Sequence, residues 1–412
     1  MNLDTSKIKP DFFKKIVSKP YIYPLIRGIL IQILKPDRIA KVSINFSMEI
    51  LKKNFGKNST VVMSNVFMPT EIFYALDIYP ILPEVASAVS ANFGISSPSL
   101  YEVEDIVYSK DLCSVHRSLV GLVKMGFLPR PNFLVVTNQP CHSAIHSFFL
   151  ISKELGGDFN VIDVPYRYDN FTLEYVAESI KNVFEKLSKS VGKRNSFNRL
   201  RNAMFYSNEA RKYLVEANEL RKEGVVIEGR KFLGYAGMIF SAFGSRYGVK
   251  FFKALRDEIK ERLKKREFLP VKKKIYWMHL GPYFKTDLFN WFNKKGAYIV
   301  FEETSKVYWD EFDINEPFLS LAKKVLSSTA FSNVDDRFSL AMEGINEYKA
   351  DGVVIFNQWG CRQGAGNSYV LRKKLIEKGI PSIVIDGDLV DETNFPKEQI
   401  KTRLEGFLEV IS

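Results

Sequence analysis

Gly352-Val353-Val354-Ile355-Phe356-Asn357-Gln358-Trp359-Gly360-Cys361 decides how the rest of the chain is read. The unbroken apolar run Val353 to Phe356 has the character of a strand buried on both faces of a parallel sheet. It runs into Asn-Gln and then a cysteine. A closely similar phrase lies earlier: Phe133-Leu134-Val135-Val136-Thr137-Asn138-Gln139-Pro140-Cys141. The continuations match too. Cys141 leads into a helix-like segment, His142 to Leu155, then Gly156-Gly157 and a strand-like run ending at Asp163. Cys361 leads into a helix-like segment, Asn367 to Lys378, then Gly379 and a run ending at Asp386. Strand, Asn-Gln, Cys, helix, Gly, strand, Asp thus occurs twice. Two related lobes are expected, each offering a cysteine at a strand's carboxyl end, the edge where open α/β sheets bind ligands.

A chain of 412 residues is too long for one core, and its 46% hydrophobic content excludes a disordered protein. Expected segments are a helical N-terminal region over 1–58, a first α/β lobe over 59–170, a helical bridging region over 171–270 and a second α/β lobe over 271–412. Val61 to Val66, Tyr79 to Pro83, Phe133 to Gln139 and Phe159 to Asp163 are the strands of the first lobe. Lys274 to Leu280, Ala297 to Phe301, Val353 to Phe356 and Pro381 to Asp386 are those of the second. The fold class is therefore α/β: two Rossmann-like lobes with four-stranded parallel sheets, plus helical N-terminal and middle segments, with right-handed crossovers.

Several function classes lose support. The apolar run Tyr21 to Leu34 is interrupted by Pro24 and Arg27, so no membrane span is expected. Asp4, Lys7, Lys9 and Pro10 do not form a secretory pattern, which places the chain in the cytoplasm. The net charge of +12 sits largely on wet helix faces such as Lys260 to Arg266, so no nucleic-acid partner is expected. The excess can still attract an acidic ligand such as a CoA phosphate, or an acidic partner. No phosphate-binding G-x-x-x-x-G-K-[ST] loop, G-x-S-x-G elbow or H-E-x-x-H pair occurs. Gly364-Ala365-Gly366 lacks the third glycine of a dinucleotide fingerprint.

The chemistry rests on Cys113, Cys141 and Cys361, the only cysteines present. They are too few and too dispersed for a disulfide framework, though buried core positions would suit isolated thiols as well. Cys141 lies just before a helix and Cys361 a few residues before one. Free N–H groups and the dipole at such ends stabilise a thiolate. Three thiolates and an open position can hold a [4Fe–4S] cluster. Zinc held by three Cys and one His is the rival, since His116, His142 and His146 lie within five residues of a cysteine. No tight C-x-x-C occurs, and spacing alone leaves both readings open.

Four segments, spanning nearly the whole chain, carry a more specific resemblance. They are Met68-Pro69-Thr70-Glu71-Ile72-Phe73-Tyr74-Ala75; the Cys113 and Cys141 segments with Asp163-Val164-Pro165; the Cys361 segment with Gly379-Ile380-Pro381 and Asp386-Gly387-Asp388; and the tail Thr402 to Glu409. Their order and spacing resemble the 2-hydroxyacyl-CoA dehydratase and ATP-dependent benzoyl-CoA reductase subunit family, of the 2-hydroxyglutaryl-CoA dehydratase D-component type. One departure is that Leu76-Asp77 follows Ala75 where Gly is usual.

The resemblance implies one [4Fe–4S] cluster held by Cys113, Cys141 and Cys361 between the lobes, with too few thiols for a double cubane. It implies a lyase that removes water from a 2-hydroxyacyl-CoA to give an enoyl-CoA. One-electron activation makes the thioester a ketyl radical, which expels the hydroxyl and acidifies the β-proton. The electron comes from a separate ATP-dependent iron–sulfur activator, and a related second subunit, or self-association, completes the enzyme. Glu71 is the candidate auxiliary ligand or proton-handling group. Ser64 and Asn65 are candidates for substrate contact, and Gln139 and Gln358 for hydrogen bonds to cluster sulfides. The other readings are a benzoyl-CoA-reductase-type subunit with net electron uptake and a non-catalytic bilobal zinc or ligand-binding protein.

Overall fold

The computed structural model describes residues 19–411 apart from 57, 105–108 and 329–332. The helical expectation for 1–18 therefore lies outside the described residues. Tyr23–Leu34 and Arg38–Phe55 are helices. The second begins where the Asp37 carboxylate accepts the Ala40 N–H, and it turns Ile39 and Phe46 inward as their helical spacing requires.

The first sheet contains β1 (Val62–Ser64), β2 (Phe133–Thr137) and β3 (Asp158–Ile162), all parallel, in the order β1-β2-β3. The fourth strand expected at Tyr79 to Pro83 is reduced to one bridge, Met63 to Ile81. Ile81 donates its N–H to Val62 and accepts from Ser64. Pro80 and Pro83 on either side have no N–H to extend the ladder. The second sheet has its four strands: β4 (Lys273–Met278), β5 (Ala297–Glu302), β6 (Gly352–Gln358) and β7 (Ser382–Gly387). All are parallel, in the order β5-β4-β6-β7.

Both sheets are covered on both faces, which explains the continuous apolar runs. On β4, Ile275 and Trp277 join a core with Phe289, Phe356 and Leu404. Their alternates Tyr276 and Met278 join the opposite core with Phe301, Ile345 and Leu375. The closing helix Lys397–Val410 contributes Ile400, Leu404, Phe407 and Leu408, the apolar face of its amphipathic pattern.

The middle region folds as four helices, Asn170–Ser190, Ser196–Arg221, Gly229–Ser241 and Arg246–Lys264. Phe252, Leu255 and Ile259 are buried along the last of these. One continuous core joins this region to both lobes: Val62, Ile72 and Val135, then Phe184, Phe251 and Phe252, then Trp309, Leu321 and Val325. Asp77, in the segment that departs from the family pattern, has φ +61°. Aspartate is among the few residues that tolerate the left-handed conformation a glycine would supply there. Among the described residues, no helix is long and apolar enough to cross a membrane.

Two buried ion pairs pin the middle helices. Arg221 holds both carboxylate oxygens of Glu302 at 2.9 Å and lies 3.6 Å from the centre of the Phe232 ring. Lys324 reaches Glu71 at 2.8 Å, beside the Ser207 hydroxyl of the second middle helix. Removing Arg221 strands a carboxylate with no solvent access. Arg221→Ala is expected to lower stability by ~3–5 kcal/mol. Arg221→Met combined with Glu302→Leu should recover most of that loss, because no buried charge then remains. Denaturant unfolding followed by circular dichroism measures both.

Candidate functional site

All three thiols reach the site by one local device. Cys113, Cys141 and Cys361 are the N-cap residues of the helices Ser114–Lys124, His142–Leu155 and Arg362–Glu377. They line a single cavity of about 320 Å³ at the junction of both lobes and the Gly229–Ser241 helix. The Cys361 helix starts earlier than its sequence pattern implies, so Gly364-Ala365-Gly366 lies in its first turns. Gly364 serves the thiol rather than a nucleotide. Its N–H donates to Cys361 Sγ at 3.3 Å, and a side chain there would press on His279.

The repeated Asn and Asp of the twin units find each other. Asn357 donates to Asp386 at 2.6 Å, and Asn138 donates to Asp163. Each bond closes a strand end beside its cysteine. A second set of contacts ties the lobes together next to Cys113. Ser114 donates to Asp388, Gln358 donates to Ser114 at 3.1 Å, and Arg117 lies 3.4 Å from Asp391. Gly360, at φ +71°, lets the backbone approach so closely that a Cβ would sit 2.6 Å from the Cys113 nitrogen.

Two imidazoles lie against the thiols. His116 Nε2 is 3.2 Å from Cys141 Sγ, with Nδ1 on Ser147 at 3.1 Å. His279 Nε2 is 3.8 Å from Cys361 Sγ. Burial pushes both histidines down to about 4, so they are neutral. His142 instead contacts Gln139 and stacks on Tyr166, and His146 is exposed.

Burial also dominates the thiols. Cys141 is pushed up to about 12, Cys113 well above its ordinary value and Cys361 upward, with like-charge contact among them adding to the rise at Cys113 and Cys141. The helix-end stabilisation expected of a thiolate is outweighed by desolvation, and the thiolate forms need a cation. Among the described residues, no three His, Cys, Asp or Glu side chains converge closely enough to hold a single metal ion. The three sulfurs line the same cavity and are soft donors, the kind that iron and zinc take.

The cavity contains residues that sequence reasoning missed. Glu84 lines it with Oε2 lacking any partner, and burial pushes its carboxyl up to about 8. Glu303 and Arg337 form a buried bidentate pair, and Glu303 accepts the backbone N–H of His279 at 2.7 Å. Burial raises Glu303, but Arg337 beside it more than reverses the effect. The available signal was position: Glu303 directly follows an apolar strand, and Glu84 follows Pro83 at a helix start.

Other expected site residues are occupied elsewhere. Glu71 is fully buried away from the cavity lining, where Ser207 and Lys324 bond its Oε1 at 2.7 and 2.8 Å. Asn65 exchanges hydrogen bonds with Thr137 across the ends of β1 and β2, and neither it nor Ser64 lines the cavity. All three bond neighbouring protein groups, Ser64 through the Asn65 carbonyl, although Glu71 Oε2 is left without a partner. Gln358 does line the cavity, but its amide is engaged by Ser114, Leu389 and Trp359. Gln139 engages His142 and keeps Oε1 unpartnered.

A family profile described as 2-hydroxyglutaryl-CoA dehydratase, D-component, matches residues 65–411. The (R)-phenyllactyl-CoA dehydratase alpha subunit of Clostridium sporogenes is 25% identical, covering 83% of this chain and 87% of its own. A benzoyl-CoA reductase subunit of Thauera aromatica is 25% identical over 91% of this chain and 96% of its own. The (R)-2-hydroxyisocaproyl-CoA dehydratase alpha subunit of Clostridioides difficile is 26% identical over 84% and 89%.

Glu84 sets a pH signature. Below its ordinary value of 4.5 it is protonated in folded and unfolded chains alike. Between there and about 8 only the unfolded chain gives up the proton, so stability falls as pH rises. Glu84→Gln removes this slope. The variant should melt at a clearly higher temperature than the parent at pH 8.5 and at nearly the same temperature at pH 4.5, as followed by thermal denaturation.

Proposed function

The chain belongs to the 2-hydroxyglutaryl-CoA dehydratase D-component family, and from that premise we propose that it is the iron–sulfur subunit of a cytoplasmic 2-hydroxyacyl-CoA dehydratase. The reaction removes water from a 2-hydroxyacyl-CoA to give an enoyl-CoA, through a ketyl radical formed after one-electron activation. The observation that carries the reading is the meeting of three sequence-remote thiols, each capping a helix, around one largely apolar cavity. Cys113, Cys141 and Cys361 would hold a [4Fe–4S] cluster. When bound, the cluster supplies low-potential electron transfer and a Lewis-acidic iron that no thiolate occupies.

The remaining roles belong to the protein. Three helix N-termini direct their positive ends at the site and offset negative charge there. The apolar lining excludes water, which protects a reactive radical from side reactions. Glu84 lines the cavity and is protonated at neutral pH, which makes it the candidate to exchange a proton with the departing hydroxyl or the β-carbon. His116 and the Arg337–Glu303 pair position Cys141 and the His279–Cys361 wall. An ATP-dependent iron–sulfur activator would supply the electron, in keeping with the lack of a G-x-x-x-x-G-K-[ST] loop in the sequence. Relatives named as alpha subunits support a related second subunit as partner.

The test is anaerobic purification with iron, sulfide and zinc counting and electron paramagnetic resonance of the reduced sample. About four irons and four sulfides per chain are expected, falling to near zero in Cys113→Ser, Cys141→Ser and Cys361→Ser. Stoichiometric zinc without iron would sink the reading. The match to a benzoyl-CoA reductase subunit over 91% of the chain supports a second reading, a reductase subunit with the same cluster. ATP use per turnover separates the two: dehydration recycles its electron over many turnovers, whereas reduction consumes ATP in every cycle.

A further inference from the structure

We propose that the cavity selects thioesters whose acyl group is uncharged, apolar and bulky, aromatic or branched, over short acyl groups and over those with a second carboxylate. This rests on the acyl-CoA reading of the same site. Much of the cavity wall is apolar, with Phe67, Val85, Val89, Phe240 and Tyr283 among its lining residues. Phe67 and Phe240 meet edge to face at 5.7 Å, leaving apolar surface toward the space they border.

The cavity owes its width to two glycines. Gly234 and Gly237 both line it from the Gly229–Ser241 helix, three residues apart and on one face. Glycine inside a helix is unfavourable relative to alanine, and neither position needs it for backbone reasons. A Cβ at Gly234 would meet nothing within 4 Å, and one at Gly237 would meet only Val85 at 3.6 Å. What the missing side chains provide is open space inside the cavity.

The charge pattern offers a distal carboxylate no free cation. Arg337 is the one Lys or Arg among the lining residues, and it is fully engaged. Its guanidinium holds Glu303 through two bonds and contacts Asn367 at 2.7 Å and the Gln363 carbonyl at 3.2 Å. Both imidazoles lie against thiols. Glu84 adds a carboxyl group to the lining and no cation. A second carboxylate on the substrate would be desolvated with no cation to meet it.

Calorimetric titration of the anaerobically purified holoprotein with cinnamoyl-CoA, acryloyl-CoA, glutaconyl-CoA and free CoA tests this. Each methylene-sized group taken from water is worth about fourfold in affinity. Cinnamoyl-CoA is therefore expected to bind ~30-fold or more tighter than acryloyl-CoA, with glutaconyl-CoA no tighter than acryloyl-CoA. Gly234→Leu should abolish the cinnamoyl advantage and leave acryloyl-CoA binding intact. Val89→Arg, at a half-exposed position of the wall, should tighten glutaconyl-CoA about 10-fold; it also serves if Gly234→Leu does not fold. Equal binding of the three acyl thioesters, or glutaconyl-CoA binding tightest, overturns the selectivity and leaves the acyl-CoA reading standing. Absence of binding by all of them, free CoA included, overturns both.

Discussion

The structure depends on holding three helix starts at fixed positions around one space. Cys113, Cys141 and Cys361 cap helices that belong to different lobes or to different units of one lobe. Nothing local can fix their separation. Contacts between the lobes do so: Ser114 on Asp388, Arg117 beside Asp391, and the backbone of Gly360 against that of Cys113. The first two are polar contacts between buried groups, so each is short of alternatives and costly to break. The third is a close approach that any Cβ would spoil. Around them, one core shared by both lobes and the middle helices resists relative motion of the parts.

Desolvation then sets the chemistry of the space. It keeps His116 and His279 neutral, raises all three thiols and holds Glu84 protonated near neutral pH. The one full ion pair in the lining, Glu303 with Arg337, is compensated within itself. The resting site is therefore close to electrically neutral, and charge must arrive with what binds there. Iron would turn the thiols into thiolates with release of their protons. The three helix ends already face the place where the resulting negative charge would gather.

The same pressure to pair buried polar groups explains where the expected site residues went. Asn65, Asn138 and Asn357 stand at strand ends, where ligand contacts are commonly found, yet each closes a turn by bonding a nearby chain segment. Glu71 is matched to Lys324, more than two hundred residues away in sequence. Glu84, by contrast, lines the thiol cavity itself.

Read alone, the chain determined much of its own architecture. The duplicated strand–Asn-Gln–Cys–helix–Gly–strand–Asp unit revealed two α/β lobes because burial on both sheet faces writes continuous apolar runs between turn residues. The His142–Leu155 helix and the amphipathic tail were legible from periodicity and punctuation, which are local. The fourth strand of the first lobe was not, since prolines at 80 and 83 allow the apolar run to pair only at Ile81. Only the tertiary structure brought His279 to Cys361, Arg337 to Glu303 and Glu84 into the thiol-lined cavity. Sequence periodicity reports which face of an element is buried. It carries no record of which distant group a buried acid or imidazole will meet, because that pairing is settled by packing between elements far apart along the chain.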